Sequence, residues 1–593
     1  MEINLTRRQA LNWALVGTAA LSGCCRLRPT IKPYCPASPA VSYLSGPLTI
    51  DAHCHVFNGS DLQISPFLSK VMIHEEGVVG RTVEALSDLL QNVSWTLSPR
   101  GGQELMALAE LKTCEGTSAL DSPVTLMQRP YDYGGAAALR QQAHSVGRAE
   151  LLASLEKSQY FQTLQKNHAG TVQLKTLDIT TQTQLAAIRT IRTIPEKVED
   201  YIALQSDKTV SLMSTSEKSA SGVIAFVLQN FQYRYVTVHD YLRTYNVPGK
   251  RVVDLMLPSM VDYDWWLAKG QSTQTSLPVQ VQVMEQISIL TGGRVHAFVP
   301  FDPLKQIAYE LYGTGDDSLG LVKRAILSHG CVGVKLYPPM GFAALGNADV
   351  QKSKGADFWS RDWLPELTRR PDLGLRLDNA MRELFVWCVN EEVPVMAHTN
   401  HSNGVVPEFE DLAGVTYWAK ALREFPGLRI SFGHFGGADG EKGLDHAKAF
   451  AGLMSAAPGT PGQFAYADAG YFATVLDGDR QLLGTLQSLY DLTGSKGGAA
   501  LANRFMYGTD WEMTLAHGNV GGYLLGWASL LDEIEQRPAI KQAGLAGLSE
   551  KFFGQNAADW IGLRKGGKSR NRLDAFYRAN GIDQPDWVVK VDR

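Results

Sequence analysis

The stretch Asp51-Ala52-His53-Cys54-His55 sets two imidazoles two residues apart. In an extended strand alternate side chains share a face. His53 and His55 would therefore present both rings to one point. Neutral imidazole is the commonest protein ligand for Zn²⁺ and also suits Fe and Ni. A His-x-His pair alone is weak evidence, since two histidines can simply sit in a core. Three more ligand-type residues end apolar runs far downstream. His398 closes Val393–Ala397, His434 closes Leu428–Gly433, and Asp510 closes Arg504–Thr509. Five such residues at four strand ends would surround one cation if the strands share a barrel, and the pattern predicts a metal centre. Lys335 stands near the end of another run, Val332–Leu336. Tyr337, Asn400 and His401 follow strand ends and are candidates for substrate polar groups. Asp468 ends a further run and can support a ligand or serve a structural need. His296 lies within a run and reads as core. Cys54, between the two histidines, must face the opposite way and reads as a small buried residue. Trp265, Trp266 and Trp511 lie just past strands and could wall an apolar pocket, although core packing explains them equally.

The elements that must position these residues are eight short β-type runs. They are Leu48–His53, Arg251–Met256, Arg294–Val299, Val332–Leu336, Val393–His398, Leu428–His434, Gln463–Asp468 and Arg504–Asp510. Near-continuous apolar runs of this kind suit strands buried on both faces. Helical patterns lie between them, such as Asn379–Asn390 and Thr416–Phe425. Repeated strand–helix alternation predicts an α/β fold, a (β/α)8 barrel. Its active site would lie at the C-terminal ends of the strands, where the ionisable residues gather. An open doubly wound sheet is the competing architecture.

Nearly 200 residues separate the first two runs. Apolar 3.6-residue periodicity over Ala138–Gln165, Leu185–Leu204 and Gly222–Thr244, with the polar loop Ser214–Ser221 before the last, predicts a mainly helical insertion over 59–244. An insertion after a barrel strand emerges on the catalytic face, so it should cap or wall the pocket. The barrel would then comprise 48–58 and 245–565, with a C-terminal extension over 566–593. The basic stretch Arg564–Arg570 reads as a solvated linker.

Composition narrows the function classes. Of 593 residues 45% are hydrophobic and 20% charged, with 56 Gly and 26 Pro, which suits a globular enzyme and not a disordered or fibrous chain. The formal charge of −4 gives no general attraction for nucleic acid or anionic membranes. Seven scattered Cys do not make a disulfide framework. No Gly-x-Gly-x-x-Gly turn, phosphate loop or nucleophile elbow competes. The first 24 residues read as an export signal. Arg7 and Arg8 precede a short apolar run, and the pair resembles a twin-arginine signal. Leu21-Ser22-Gly23-Cys24 resembles a lipobox, which would make Cys24 a lipidation site. The expectation is a bacterial envelope lipoprotein on the periplasmic side, touching membrane only through a lipid anchor. Residues 25–47 read as a linker.

Taken together, Ile50–His55, Gly333-Val334-Lys335-Leu336-Tyr337-Pro338, Ala397-His398-Thr399, Gly433-His434 and Tyr507-Gly508-Thr509-Asp510 resemble the amidohydrolase superfamily. The closest resemblance is to its amidohydrolase-related branch of metal-dependent hydrolases and aminocarboxymuconate-semialdehyde-type decarboxylases. Phe553–Ala557 and Ile561–Leu563 are similar to that family's closing helix. The resemblance implies that His53, His55, His398 and Asp510 hold one divalent metal, with zinc the first expectation. It implies a metal-activated water attacking an amide, lactone or ester carbon, its pKa lowered from about 15.7 toward ~7. Asp510 would act as general base, then acid. His434 would orient the water and polarise the substrate oxygen, or ligate a second metal. Lys335 would be either a carboxylated bridge between two metals or a cation beside one. A small-molecule substrate follows. Non-oxidative decarboxylation with the same ligands is the first alternative, and a catalytically degenerate envelope scaffold the second.

Overall fold

Eight short parallel strands close into a (β/α)8 barrel. They are β1 (Ile50–Cys54), β2 (Leu255–Pro258), β3 (Phe298–Pro300), β4 (Gly333–Leu336), β5 (Val395–His398), β6 (Ile430–Gly433), β7 (Ala465–Asp468) and β8 (Phe505–Met506). The computed structural model describes residues 46–72, 78–113, 136–157, 230–247, 251–313, 316–440, 443–476, 480–516 and 521–593. The expected signal over 1–24, almost all of the linker over 25–47, the helix Leu185–Leu204 and the loop Ser214–Ser221 lie outside the described residues. No helix of the described residues is long and apolar enough to cross a membrane.

Strands β3 to β8 form one continuous parallel ladder in sequence order, and β1 pairs with β2. Two seams complete the barrel. Parallel bridges at Met256–Val295 and Ser259–Phe298 join β2 to the β3 edge. At the other seam Ala52 N donates to Tyr507 O at 3.0 Å and Asp510 N to His53 O at 2.7 Å. The chain thus brings its first and last strands side by side. The run Arg251–Met256 is only partly strand: Arg251–Val252 pairs in a small antiparallel hairpin with Asn246–Val247, and β2 starts at Leu255.

Strand β1 is irregular between Asp51 and Cys54, where the register to β2 slips. Ile50 and Ala52 lie in a buried cluster with Leu255, Phe298, Met396, Tyr466 and Met506 from the other strands, which is the barrel interior. Cys54 belongs to the outer cluster with the helices. A bulge re-aims side chains, so His53 and His55 face inward while Asp51 reaches outward to helix residue Tyr241.

The described part of the insertion is helical: α1 (Val78–Leu97), α2 (Gly101–Thr113), α3 (Ala136–Lys157) and α4 (Arg234–Thr244). Arg234, fully buried at the start of α4, pairs with Asp61 and with Glu104 of α2. Leading into these helices, Ser60 bonds Thr275, Phe67 stacks on Tyr263 at 5.8 Å, and the Lys70 ammonium lies 3.8 Å over Trp363.

The opposite, N-terminal end of the barrel is sealed by the last part of the chain. Trp560, Tyr577, Trp587 and Val588 join the interior cluster. Helices α5 (Lys568–Asn580) and α6 (Asp586–Asp592) supply most of this plug. The basic stretch is therefore not simply a solvated linker. Lys568–Arg570 opens α5, and Arg570 is buried between Asp574 and Asp592. His296 is core, as its place within a run suggests. Its ring bonds Gly330 O at 2.8 Å and Tyr577 Oη at 2.7 Å.

Candidate metal centre

His53 and His55 leave β1 with their Nδ1 atoms already engaged. His55 Nδ1 lies 2.8 Å from Ser259 O, and His53 Nδ1 lies 2.7 Å from Asp468 Oδ1. A carbonyl only accepts, so His55 carries its proton on Nδ1 and bares Nε2 as a lone pair. That bare nitrogen points at Asp510 Oδ1, 3.2 Å away, and His53 Nε2 lies 3.7 Å from the same oxygen. The ligand atoms of His53, His55 and Asp510 lie within 4.8 Å of one another, all buried. His55 Nε2 and an ionised carboxylate are two acceptors facing each other. A cation between them removes that conflict, and the donor set of two imidazoles and a carboxylate suits a divalent transition metal.

His398 and His434 continue the cluster. The His434 ring packs 4.6 Å from His53 and 4.5 Å from His398. His434 Nδ1 lies 2.8 Å from Gly470 O, which again leaves Nε2 bare. His398 Nε2 is buried without a hydrogen-bond partner, an orphan that a bound ligand would satisfy. The tight three-residue group does not include His398 or His434, which stand one ring further on.

Lys335, at the inner face of β4, places Nζ 3.1 Å from His53 Nε2 and 2.8 Å from Met396 Sδ. Burial lowers its pKa to about 8 against the pull of Asp468 and Asp510. Burial, then the Lys335 charge, lowers His53 to about 4 despite Asp468. Burial also lowers His434, and it drives His398 well below the ordinary value. These three rings are neutral at pH 7, the form that binds metal. Burial alone would raise Asp510; protonated rings, His55 first through its hydrogen bond and charge, then His53 and His434, would bring it down to about 2, and with the rings neutral a cation between them would do the same. The carboxylate is ionised with either. Asp468 is likewise held below the usual carboxylate range, chiefly by His53 acting against burial.

Asp468 organises the inner side. It accepts from His53, from Ser431 Oγ at 2.8 Å, from His434 N at 3.2 Å and from Gly470 N at 3.1 Å. Outer partners of this kind fix the orientation of a ligating ring. Asp510 (φ 51°) and His434 (φ 60°) both hold left-handed backbone, which costs an L-residue roughly 1–3 kcal/mol and persists only when neighbours over-determine it. Here the bonds from Asp510 N to His53 O and from His434 N to Asp468 do so.

Glycines make room for His53. A Cβ on Gly470 would lie 2.5 Å from His53 Nδ1, and one on Gly508 would lie 2.8 Å from His53 Cβ. Gly470, Ser259 and Met396 carry no motif that sequence reading could single out. Gly470 had one weak signal, its place two residues past the Asp468 strand end.

The weaker candidates separate. Tyr337 stacks on His398 with ring centres 4.4 Å apart and lines a recess with Tyr263, Trp266, Phe301, Asp302 and Lys335. Asn400 packs against Gly437. His401 stacks on His446 at 5.0 Å and lies 3.7 Å from Asp411, facing a loop and not the ligand group. Trp511 packs on Tyr241 and Tyr245. Cys54 is fully buried, its thiol pushed well up by that burial.

Residues 321–563 match a family model described as Amidohydrolase. Solved structures give distant likenesses. One is a TIM-barrel protein from Bordetella bronchiseptica, 11% identical over 54% of this chain and 82% of its own, TM-score 0.31. A second is an amidohydrolase from Burkholderia multivorans, 12% identical over 52% and 83%, TM-score 0.29. A third is 5-carboxyvanillate decarboxylase from Sphingomonas paucimobilis, 11% identical over 61% and 96%, TM-score 0.30. A search of curated proteins finds no match.

Proposed function

Since the chain belongs to the amidohydrolase superfamily, we propose that it is a metal-dependent hydrolase acting on an amide, lactone or ester of a small molecule. The observation that carries this reading is the bare Nε2 of His55 facing the ionised Asp510 oxygen at 3.2 Å, with His53 beside it. His53, His55 and Asp510 would hold a divalent metal, zinc first among candidates, with His398 completing the set through its orphaned Nε2. When bound, the metal supplies a Lewis acid that polarises a carbonyl and acidifies a water.

The residues of the chain do the rest. Asp510, ionised at neutral pH, takes a proton from the attacking water and returns it to the leaving group. His434 has its Nδ1 proton committed to Gly470 O, so Nε2 accepts. That suits it to orienting the water, with the developing oxyanion falling to the Lys335 ammonium. Tyr337 and the recess beside it would receive the body of the substrate. The described segment 60–72, set against loops after β2 and β4, supports a capping role for the insertion. We also propose export and lipidation at Cys24, as the first residues of the sequence suggest.

The test is metal analysis of gently purified protein, followed by assay on amide, lactone and ester panels. About one equivalent of metal with water-consuming turnover supports the reading. Release of CO₂ without water consumption replaces it with decarboxylation. Less than roughly one equivalent of metal favours a non-catalytic scaffold.

A further inference from the structure

Tyr241 sits on α4, just before β2, and is fully buried. Its hydroxyl donates to Asp51 Oδ2 at 2.5 Å. The same carboxylate accepts from Thr509 Oγ1 at 2.6 Å, from Thr509 N at 3.1 Å and from His53 N at 3.1 Å. Asp51 thus holds the backbone of His53 on β1 and the residue that precedes Asp510 after β8. These two segments meet at a seam where β8 has only two strand residues, Phe505–Met506. The ladder there is too short to fix their register alone. The carboxylate of Asp51 acts as the clasp, and the β1 bulge is what turns it outward to meet α4.

From this geometry we propose that Tyr241 is a positioning residue of the metal centre. Through Asp51 it fixes how His53 and Asp510 stand toward one another. This rests on the reading of the centre as a metal site. The hydroxyl matters because a buried carboxylate accepting fewer donors is free to rotate or to draw in water. Either change would loosen Thr509 and the adjoining Asp510. The ring has a second hold on the same loop, since it packs edge-on against Trp511 with centroids 5.5 Å apart. Tyr241→Phe keeps that ring contact and removes only the hydroxyl.

The experiment is equilibrium zinc binding by chelator competition on the full chain, for wild type, Y241F, D51N and the double variant. Tyr241→Phe should weaken zinc binding about tenfold, the lower end for partners outside the ligand shell. If Tyr241 acts through Asp51, Y241F should add little further loss in the D51N background. Ile326→Ala, in a barrel helix away from the centre, serves as a control for general destabilisation. It should lower the melting temperature and leave zinc affinity unchanged. Unchanged zinc affinity in Y241F, additive losses in the double variant, or an equal loss in Ile326→Ala would each overturn the proposal. Failure of the wild-type protein to take up any zinc, cobalt or manganese would overturn the metal-site reading and this proposal together. Normal metal binding without turnover of any substrate panel would remove the hydrolase reading and leave Tyr241's role standing.

Discussion

At the scale of single residues, charge and proton position decide what each group can do. Asp510→Asn keeps an oxygen ligand but cannot accept a proton. Metal content should persist while turnover falls by about 10²- to 10⁴-fold, and retained turnover would remove Asp510 from that role. Lys335→Met removes the buried ammonium next to His53. With one metal it should slow turnover and leave metal stoichiometry unchanged, whereas loss of a metal equivalent would show that Lys335 bridges two ions. Gly470→Ala would drive a methyl into His53 Nδ1, where the Asp468 bond now lies. Metal affinity should drop, and affinity equal to wild type would mean that the β7 loop yields freely. The imidazole types and their spacing were legible in the sequence. Which nitrogen faces the centre was not, because Ser259 O, Asp468 and Gly470 O arrive from other strands and loops.

At the scale of elements, the strands were placed well by their apolar runs, and their ends less well. β2 begins four residues later than Arg251, since the preceding segment satisfies its backbone in a hairpin. The C-terminal extension is a structural plug. Lys590 Nζ bonds Asp254 Oδ1 at 2.6 Å with both side chains almost wholly buried. Lys590→Ala would leave that buried carboxylate with the Thr49 N–H bond and the Arg294 charge but without its ammonium partner, and should cost about 3–5 kcal/mol in urea unfolding. An effect below 1 kcal/mol would show that water reaches Asp254. His296 at the same end makes stability depend on pH. Burial lowers its pKa from 6.5 to about 4. The folded state therefore binds its proton more weakly than the unfolded chain does. The contribution is whole above pH 6.5 and is lost as pH falls toward 4, at about 1.4 kcal/mol per pH unit. His296→Asn should lose less stability than wild type between pH 7 and pH 5. Equal losses would mean that another group dominates acid sensitivity.

At the scale of the whole molecule, one barrel carries the candidate metal centre at one end and its plug at the other, with the described part of the insertion engaged on the side of that centre. If Cys24 carries a lipid, Cys24→Ser should shift the protein from the membrane fraction to the soluble envelope fraction. An unchanged distribution would end that assignment. The sequence by itself determined the strand–helix alternation, the kinds of candidate ligand side chains and their places at strand ends. These are local matters of periodicity and residue chemistry. Only the tertiary structure decided that β1 bulges, that Asp51 turns outward while His53 and His55 turn inward, and that the two ends of the chain share a seam. It also decided that the last helices seal the barrel floor. Each of these depends on backbone groups and packing surfaces supplied by remote segments, and no local pattern encodes where such partners will stand.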